Sequence, residues 1–336
     1  MAAGPTGNRP AVLVTGGAGY IGSHCCRALD AAGYRPVCYD NFSTGHRSFV
    51  TGTLVTGDIA DKATLARTFA EHDIVAVMHF AASSLVGESM VDPQKYYVNN
   101  LAGTLALLDA MRAAGCSRLV LSSTGAVYGN ADSKALPENY PCAPINPYGA
   151  SKWMIERVLA DYRAAYGLGS FALRYFNASG ADPAGGIGEQ RDVETHLIPR
   201  AMMALQGHVP DFAVFGDDYA TPDGTAIRDY IHVTDLAAAH LLALKLLLAG
   251  HSGGIFNLGT GTGFSVREIL AAIATETGRE VPHVVKPRRT GDPTYLVADA
   301  SAARETLNFH PAHSDLATIV RTAWAWHKNA HPLKNG

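Results

Sequence analysis

The chain has 336 residues, 47% of them hydrophobic and 17% charged, a composition that supplies the core of one large or two smaller globular domains and excludes disorder as the main state. Lysine and arginine total 27 against 30 aspartates and glutamates, a net charge of −3 without any block of like charges, so neither nucleic acid nor an anionic membrane is expected as a partner. The five cysteines (Cys25, Cys26, Cys38, Cys116, Cys142) form no CxxC pair and read as reduced thiols of a cytoplasmic protein. The start MAAGPTGNRP lacks the apolar stretch of a signal peptide, and the longest apolar window, 236–250, is broken by His240 and Lys245, so neither export nor a membrane span is expected. The 14 histidines include no HExxH and no His/Cys cluster; His79, just after a β run, reads as a packed core residue, and no metal site is expected.

From Ala11 the sequence AVLVTGGAGYIGSHCCRALDAAGY reads as a strand, a glycine turn and a helix. Short apolar runs at 36–39, 53–55, 74–80, 118–122 and 170–174 alternate with helical stretches. Parallel strands need crossover connections, so this alternation predicts an α/β fold, a doubly wound (Rossmann) parallel sheet with helices on both faces, over residues 10–176. After Asn177 the texture changes to loops such as GADPAGGIGEQRD and GDDYATPDGT, predicting a smaller, irregular C-terminal α/β region over 177–330. Segments 226–248 and 254–273 again look like strand and helix pieces, able to rejoin the sheet.

Gly16, Gly19 and Gly22 follow the first strand and open a helix. Glycines there permit a tight turn, close approach of a pyrophosphate to backbone N–H groups, and close packing of helix on strand. A purely structural turn is the alternative for the glycines alone. Asp40, ending the second strand, supplies a carboxylate for the adenosine ribose hydroxyls, and the combination points to a dinucleotide. An acid there repels a 2′-phosphate and its neighbour is Asn41, which favours NAD over NADP, with Arg47 read as a surface residue.

Tyr148 and Lys152, in YGASK, share one helical face at i and i+4 spacing. A phenol titrates near pH 10 in water, so as a base at neutral pH it needs a nearby cation. A surface Tyr and Lys on an ordinary helix is the alternative reading of the pair alone. Upstream, LVLSSTGAVYG ends a β run with Ser122, Ser123 and Thr124 at the carboxyl edge of the sheet, where ligands bind in doubly wound folds.

Through TGGAGYIG, Asp40, the serine/threonine segment and YxxxK, the sequence resembles the extended short-chain dehydrogenase/reductase family. GDIAD (57–61), HFAA (79–82), GES (87–89), RYFNASGADP (174–183) and the long block VFGDDYATPDGTAIRDYIHVTDLAAAH (214–240) narrow the likeness to its UDP-glucose 4-epimerase group. The resemblance covers about residues 11–325 and implies reversible C4 epimerisation of a UDP-hexose through a 4-keto sugar, with NAD as cofactor. It implies Tyr148 as proton acceptor, Lys152 as its electrostatic partner and Thr124 as the hydroxyl on the sugar O4. For the cofactor it implies Tyr20 and Ile21 with the glycines and Ser122, Asp58 and Ile59 at the adenine, Phe80, Ala81 and Ala82 along the pyrophosphate and ribose, Asn99 nearby, and Phe176 beside the nicotinamide. Ser84 stands where some relatives carry a lysine, which predicts one missing charge contact to the cofactor.

For the nucleotide sugar the matching positions are Asn177, Leu197 over the pyrophosphate, Phe215 under the uracil, Arg228 and Arg289 at the diphosphate, and Asp292. An exposed basic loop is the alternative for the segment PRRTGDP, and His196, where relatives often have asparagine, receives no role. Leu296 falls where hexose-specific relatives often have tyrosine and N-acetyl-tolerant ones a smaller residue, with Tyr295 pointing the other way if strand alternation holds. UDP-N-acetylglucosamine and UDP-pentose epimerases are the neighbouring alternatives. Nucleotide-sugar dehydratases and decarboxylases carry carboxylates where this chain has Gly125 and Ala126, and a catalytically silent NAD sensor would not need Tyr148, Lys152 and Thr124 together. The resemblance also implies a homodimer built from helices at 93–113 and 147–166, with Trp153, Met154, Ile155, Val158 and Leu159 as its apolar surface or, alternatively, packed internally.

Overall fold

The computed structural model of the chain describes residues 9–289 and 291–330. Backbone proximity divides it into two compact units. Among the described residues, the first gathers 9–123, Asn146–Ala172 and His240–Gly254; the second gathers Thr124–Ile145, Leu173–Ala239 and those from Ile255 to Ala330.

In chain order the strands are β1 (Ala11–Thr15), β2 (Arg35–Asp40), β3 (Thr53–Thr56), β4 (Ile74–His79), β5 (Arg118–Thr124), β6 (Ser133–Leu136), β7 (Gly169–Tyr175), β8 (Asn177–Ser179), β9 (Ala213–Phe215), β10 (Ile227–Arg228), β11 (Tyr230–His232), β12 (Gly253–Leu258), β13 (Phe264–Ser265), β14 (Val284–Lys286) and β15 (Tyr295–Ala298). Seven of them form one sheet in the order β12-β7-β5-β4-β1-β2-β3. The pairs β5–β4, β4–β1, β1–β2 and β2–β3 are all parallel. Strands β1 and β4 are near-continuous apolar runs, as expected where helices cover both faces, and every residue of β1 is buried, whereas β3 at the edge alternates half-buried and exposed residues. The β-strand order reverses beside β1, whose neighbours are β2 and β4, and this switch point is where the carboxyl ends of strands leave a crevice for ligands.

Eleven helices pack around these strands in the described residues, beginning with α1 (Tyr20–Ala31), α2 (Lys62–His72), α3 (Val86–Val91), α4 (Pro93–Tyr96), α5 (Gly103–Ala113), α6 (Pro147–Tyr166) and α7 (Leu197–Leu205). The stop signals are local. Helix α6 opens on Pro147, with the Asn146 side chain accepting from Gly149 N, and closes on Gly167 in the left-handed region at φ 70°. Between α4 and α5 the helical run continues as a π turn, Tyr97–Ala102. Leu13, Val37, Leu65, Leu107, Leu121, Ile155 and Leu159 lie in the core of the first unit.

In the second unit a four-stranded sheet runs β13-β10-β15-β6, and β8 with β11 and β9 with β14 form two further pairs. Ile198, Met202, Phe212, Tyr230, Ile269, Ile273, Ile319 and Val320 belong to its core. No helix among the described residues is long and apolar enough to cross a membrane.

The π turn turns the Asn100 side chain inward. Its Oδ1 accepts from Ser83 N at 2.8 Å, and its Nδ2 lies 3.0 Å from both Ser83 O and Ser151 Oγ, so one amide ties the loop after β4 to helix α6. Asn100→Ala leaves several buried partners unsatisfied and is expected to cost roughly 2–4 kcal/mol of stability, seen as a lower denaturant midpoint with an unchanged slope.

Candidate active site

The first unit holds the glycine turn. Gly16 has φ 71°, and a Cβ there would stand 2.6 Å from Ala81 N; one at Gly22 would overlap the Gly16 carbonyl oxygen. Gly19 caps α1 without a side-chain hydrogen bond, so the first-turn N–H groups have no capping side chain, and Tyr20 and Ile21 begin that turn half-buried. Phe80 N and Ala81 N both donate to Thr15 O, which lays the Phe80–Ala81 backbone beside the turn, with Ala82 following. Asp40 is buried at the end of β2; Oδ2 accepts from Ala18 N at 3.0 Å and Oδ1 from Phe42 N at 2.8 Å. The carboxylate therefore anchors the turn and retains lone pairs for ribose hydroxyls.

Beside it, Asp58 is fixed by Asn41 Nδ2 and by Ala60 N, both at 2.8 Å, and Ile59 is buried against Gly103. Asn99 Nδ2 donates to Asn100 Oδ1, and Ser84 is exposed. An open helix N-terminus, a cradle that a Cβ would fill and a buried carboxylate are the features a dinucleotide requires, so these residues fit NAD.

Tyr148, Lys152 and Glu156 lie one helical turn apart along α6. Lys152 is buried and donates from Nζ to Ser122 O at 2.9 Å; burial pulls its ammonium down to about 8, and the Glu156 carboxylate opposes that fall. Ser123 Oγ donates to Glu156 Oε1 at 2.5 Å. The Tyr96 ring stands edge-on to Tyr148 with centroids 6.4 Å apart. His79 is a fully packed core residue. Thr104 donates to Asn100 O and so accepts from His79 Nε2–H at 2.8 Å, which leaves Nδ1 to accept from Thr15 Oγ1 at 2.6 Å. Burial, helped by the Lys152 charge, holds the imidazole at about 3 and therefore neutral.

In the second unit Thr124 closes β5 and its Oγ1 accepts from Ala126 N at 3.1 Å. The Phe176 ring stacks on Tyr128 at 6.3 Å and lies over Gly125, where a Cβ would come within 2.5 Å of ring carbons. A carboxylate-bearing side chain at position 125 has no room. Tyr128 is itself fixed: its hydroxyl donates to Asn257 Oδ1 at 2.7 Å and accepts from Arg174 at 2.9 Å.

Asn177 donates from Nδ2 to Asp229 O at 2.9 Å. Arg228 pairs with Asp292 at 2.9 Å, and the Arg289 guanidinium lies 3.9 Å from the centre of the Phe215 ring. Strands β10 and β15 are parallel with Arg228 opposite Leu296 and Ile227 opposite Tyr295, so Leu296 shares the face of Arg228 and Tyr295 the other, as alternation predicts. The register is held by Asp229, a buried carboxylate that accepts from Thr260 N and Oγ1, Gly261 N and Ala298 N. Burial raises its carboxyl above the ordinary range, against those hydrogen bonds.

His196 precedes Leu197 at the start of α7, with Nδ1 2.9 Å from Glu189 Oε1 and 3.1 Å from Glu194 Oε1. Burial works against the imidazolium, but the Glu189 charge outweighs it and pushes His196 up to about 10. Burial likewise opposes the Glu189 carboxylate, which His196 and Arg191 hold down to about 2. With Arg191 Nε donating to the same Glu189 oxygen at 3.0 Å, the two glutamates are satisfied by cations of the chain itself.

Sequence reasoning assigned no role to Asn100, Glu156 or Asp229. For Glu156 the signal was its place one turn beyond Lys152 on the face that also carries Ile155 and Leu159, both buried. Since the folded pKa of His196 lies above its unfolded value near 6.5, the stability it contributes is full below pH 6.5 and is lost toward pH 10. The melting-temperature advantage of wild type over His196→Gln is therefore expected to shrink across that interval in a pH series.

The family model described as NAD dependent epimerase/dehydratase family matches residues 12–259. The UDP-glucose 4-epimerase of Rhizobium leguminosarum bv. trifolii is 51% identical over 321 residues, 95% of this chain and 98% of that protein. The crystal structure of UDP-glucose 4-epimerase from Brucella ovis in complex with NAD superposes with a TM-score of 0.92 at 54% identity, covering 94% of this chain and 98% of that one. The UDP-glucose 4-epimerase of Stenotrophomonas maltophila, with bound NAD and formylated UDP-arabinopyranose, gives a TM-score of 0.93 at 41% identity, covering 96% and 99%.

Proposed function

The chain belongs to the NAD dependent epimerase/dehydratase family, and from that premise we propose that it is an enzyme interconverting UDP-glucose and UDP-galactose by reversible, NAD-dependent epimerisation at C4. The observation that carries the chemistry is the buried Lys152 one helical turn from Tyr148, at the edge of a sheet whose glycine turn fits a dinucleotide. Bound NAD supplies the acceptor and donor of the C4 hydride. The remaining work falls to the chain. The Lys152 ammonium favours the Tyr148 phenolate, which takes the O4 proton of the sugar and later returns it, and the Thr124 hydroxyl holds that oxygen.

The 4-keto sugar must present both faces, so binding energy belongs on the UDP. Asn177, Leu197, Phe215, Arg228, Arg289 and Asp292 are the groups for it. Binding then exchanges two internal contacts, Arg228 with Asp292 and Arg289 with Phe215, for contacts to the uracil and diphosphate. The ring of Phe176 over Gly125 supports epimerisation over dehydration, since a catalytic carboxylate at that position would collide with it. None of the five cysteines is in a disulfide, which fits action in the reducing cytoplasm.

The direct test is incubation of the purified protein with UDP-galactose without added NAD. UDP-glucose should form with no stoichiometric NADH; accumulating NADH would make the protein a dehydrogenase. Tyr148→Phe is expected to lower kcat by roughly a hundredfold or more while NAD stays bound, measured as turnover beside the nucleotide released on denaturation.

For the choice of sugar, Leu296 leaves intermediate room beside C2, supporting strong turnover of the hexose pair and weak turnover of the N-acetylated pair. Leu296→Tyr should lower, and Leu296→Ser raise, the ratio of N-acetyl to hexose activity, each by about 1–3 kcal/mol in kcat/KM. We also assign a homodimer to the helices at 93–113 and 147–166. Ile155 and Leu159 pack into the core, whereas Val98 is 55%, Leu105 36% and Met154 39% exposed. Light scattering at micromolar concentration should give twice the chain mass, and a monomer would remove this assignment.

A further inference from the structure

Two arginines follow each other in the segment PRRTGDP, and the function proposed above uses only the second, Arg289. The chain reaches them from β14, which pairs in parallel with β9 from Val284 opposite Ala213 to Lys286 opposite Phe215. One more bond extends that pairing, Gly216 N donating to Lys286 O at 2.8 Å. Pro287 follows and has no N–H to continue the ladder, so the hold on the next two residues passes to side chains. Each arginine lies on a ring of the chain just across: Arg289 is 3.9 Å from the centre of Phe215, and Arg288 is 4.1 Å from the centre of Tyr219. Arg288 is tied down further, because its Nε donates to Asp218 Oδ1 at 2.6 Å and its Nη2 donates to the Asp218 carbonyl oxygen. These bonds hold the Asp218 carboxyl below the usual carboxylate range. Beneath them Gly216, at φ 83°, is bare by necessity: a Cβ there would stand 2.5 Å from a Tyr219 ring carbon and 2.7 Å from Arg288 Cγ. Tyr219 is buried, with its N–H donating to Gly224 O at 2.9 Å, so the ring is a fixed platform.

We propose that Arg288 is a positioning residue for the nucleotide: its grip on Asp218 and on the Tyr219 ring pins the segment after β14 to the loop after β9 and so holds Arg289 beside Phe215 before UDP arrives. The proposal rests on the reading of Phe215 and Arg289 as groups for the uracil and diphosphate. The donors of Arg288 that face Asp218 are already engaged, and its charge is met by that carboxylate. What it supplies is order. A segment and a long side chain that the ligand would otherwise have to immobilise are set in advance, and that saving belongs to binding rather than to the chemistry at C4.

The test compares holoenzyme variants by the steady-state kinetics of UDP-galactose and by calorimetric titration with UDP. Arg288 and Asp218 are both exposed, so their variants are expected to fold with the melting temperature of the wild type. Arg288→Gln should raise KM, and Kd for UDP, by roughly threefold to tenfold, with kcat little changed. Unchanged KM and Kd overturn the proposal, and so does a fall in kcat at constant KM. Asp218→Asn loosens the same grip while leaving both arginines in place, so its KM should rise as well. If Arg288 met the diphosphate itself, removing the Asp218 charge would free it for that contact and KM would fall; a lower or unmoved KM in Asp218→Asn therefore overturns the positioning role. Arg289→Gln separates this inference from the reading beneath it. Weakened UDP binding there, with no effect of Arg288→Gln, removes the inference alone, whereas unchanged UDP binding in Arg289→Gln removes the reading on which it rests.

Discussion

A lysine ammonium buried beside the carboxyl edge of a parallel sheet is the constraint on which the rest of the active half depends. It holds its proton only where burial is offset, and here the offset comes from one carbonyl, Ser122 O, and one carboxylate, Glu156. Both lie where they do because α6 is set in depth and rotation: Asn146 and Pro147 fix where it starts, Ile155 and Leu159 fix the face it turns inward, and the Asn100 amide holds Ser151 from the side. A slip of one residue would turn Lys152 away from Ser122 O and Glu156 away from Ser123 Oγ. The stability of this helix and the chemistry proposed for Tyr148 are therefore one problem.

In the proposed function the second unit meets a different demand, that of holding a diphosphate and a base firmly and a sugar loosely. It does so with short strands kept in register by buried polar groups. Asp229 ties β10 to β15 and to the Thr260 turn, which puts Arg228 and Leu296 side by side on one face. Its charged groups are paired with one another, Arg228 with Asp292 and His196 with Glu189 and Glu194. On the proposed function, binding at Arg228 and Asp292 is an exchange of partners rather than the first desolvation of bare charges, which lowers its net gain and favours ligands that replace every lost contact.

Much of this was legible in the chain. The strands of the large sheet could be read because parallel strands covered on both faces are continuous apolar runs, and AVLVT and IVAVMH announce themselves as such. The glycine turn, Asp40 and the Tyr148–Lys152 pair could be read because each has a spacing that local geometry dictates. The π turn at Asn100 could not, because it depends on where a single amide finds Ser83 and Ser151, residues far away in the chain. Asp229 and the Arg228–Asp292 pair are hidden for the same reason: their partners come from separate strands and loops, with no periodicity to mark them. The fit of Phe176 over Gly125 gives a steric meaning to a glycine that the sequence presented only as a missing carboxylate.

The proposed chemistry makes a specific demand on the hydrogen at C4. If the sugar is oxidised and reduced at one carbon within one active site, that hydrogen leaves and returns without meeting water, whereas Tyr148 handles only the O4 proton. Turnover of UDP-galactose deuterated at C4, followed in ordinary water by mass spectrometry or NMR, separates this from proton abstraction. Full retention of deuterium at C4 of the UDP-glucose product is the expected result; loss of the label to solvent would contradict it.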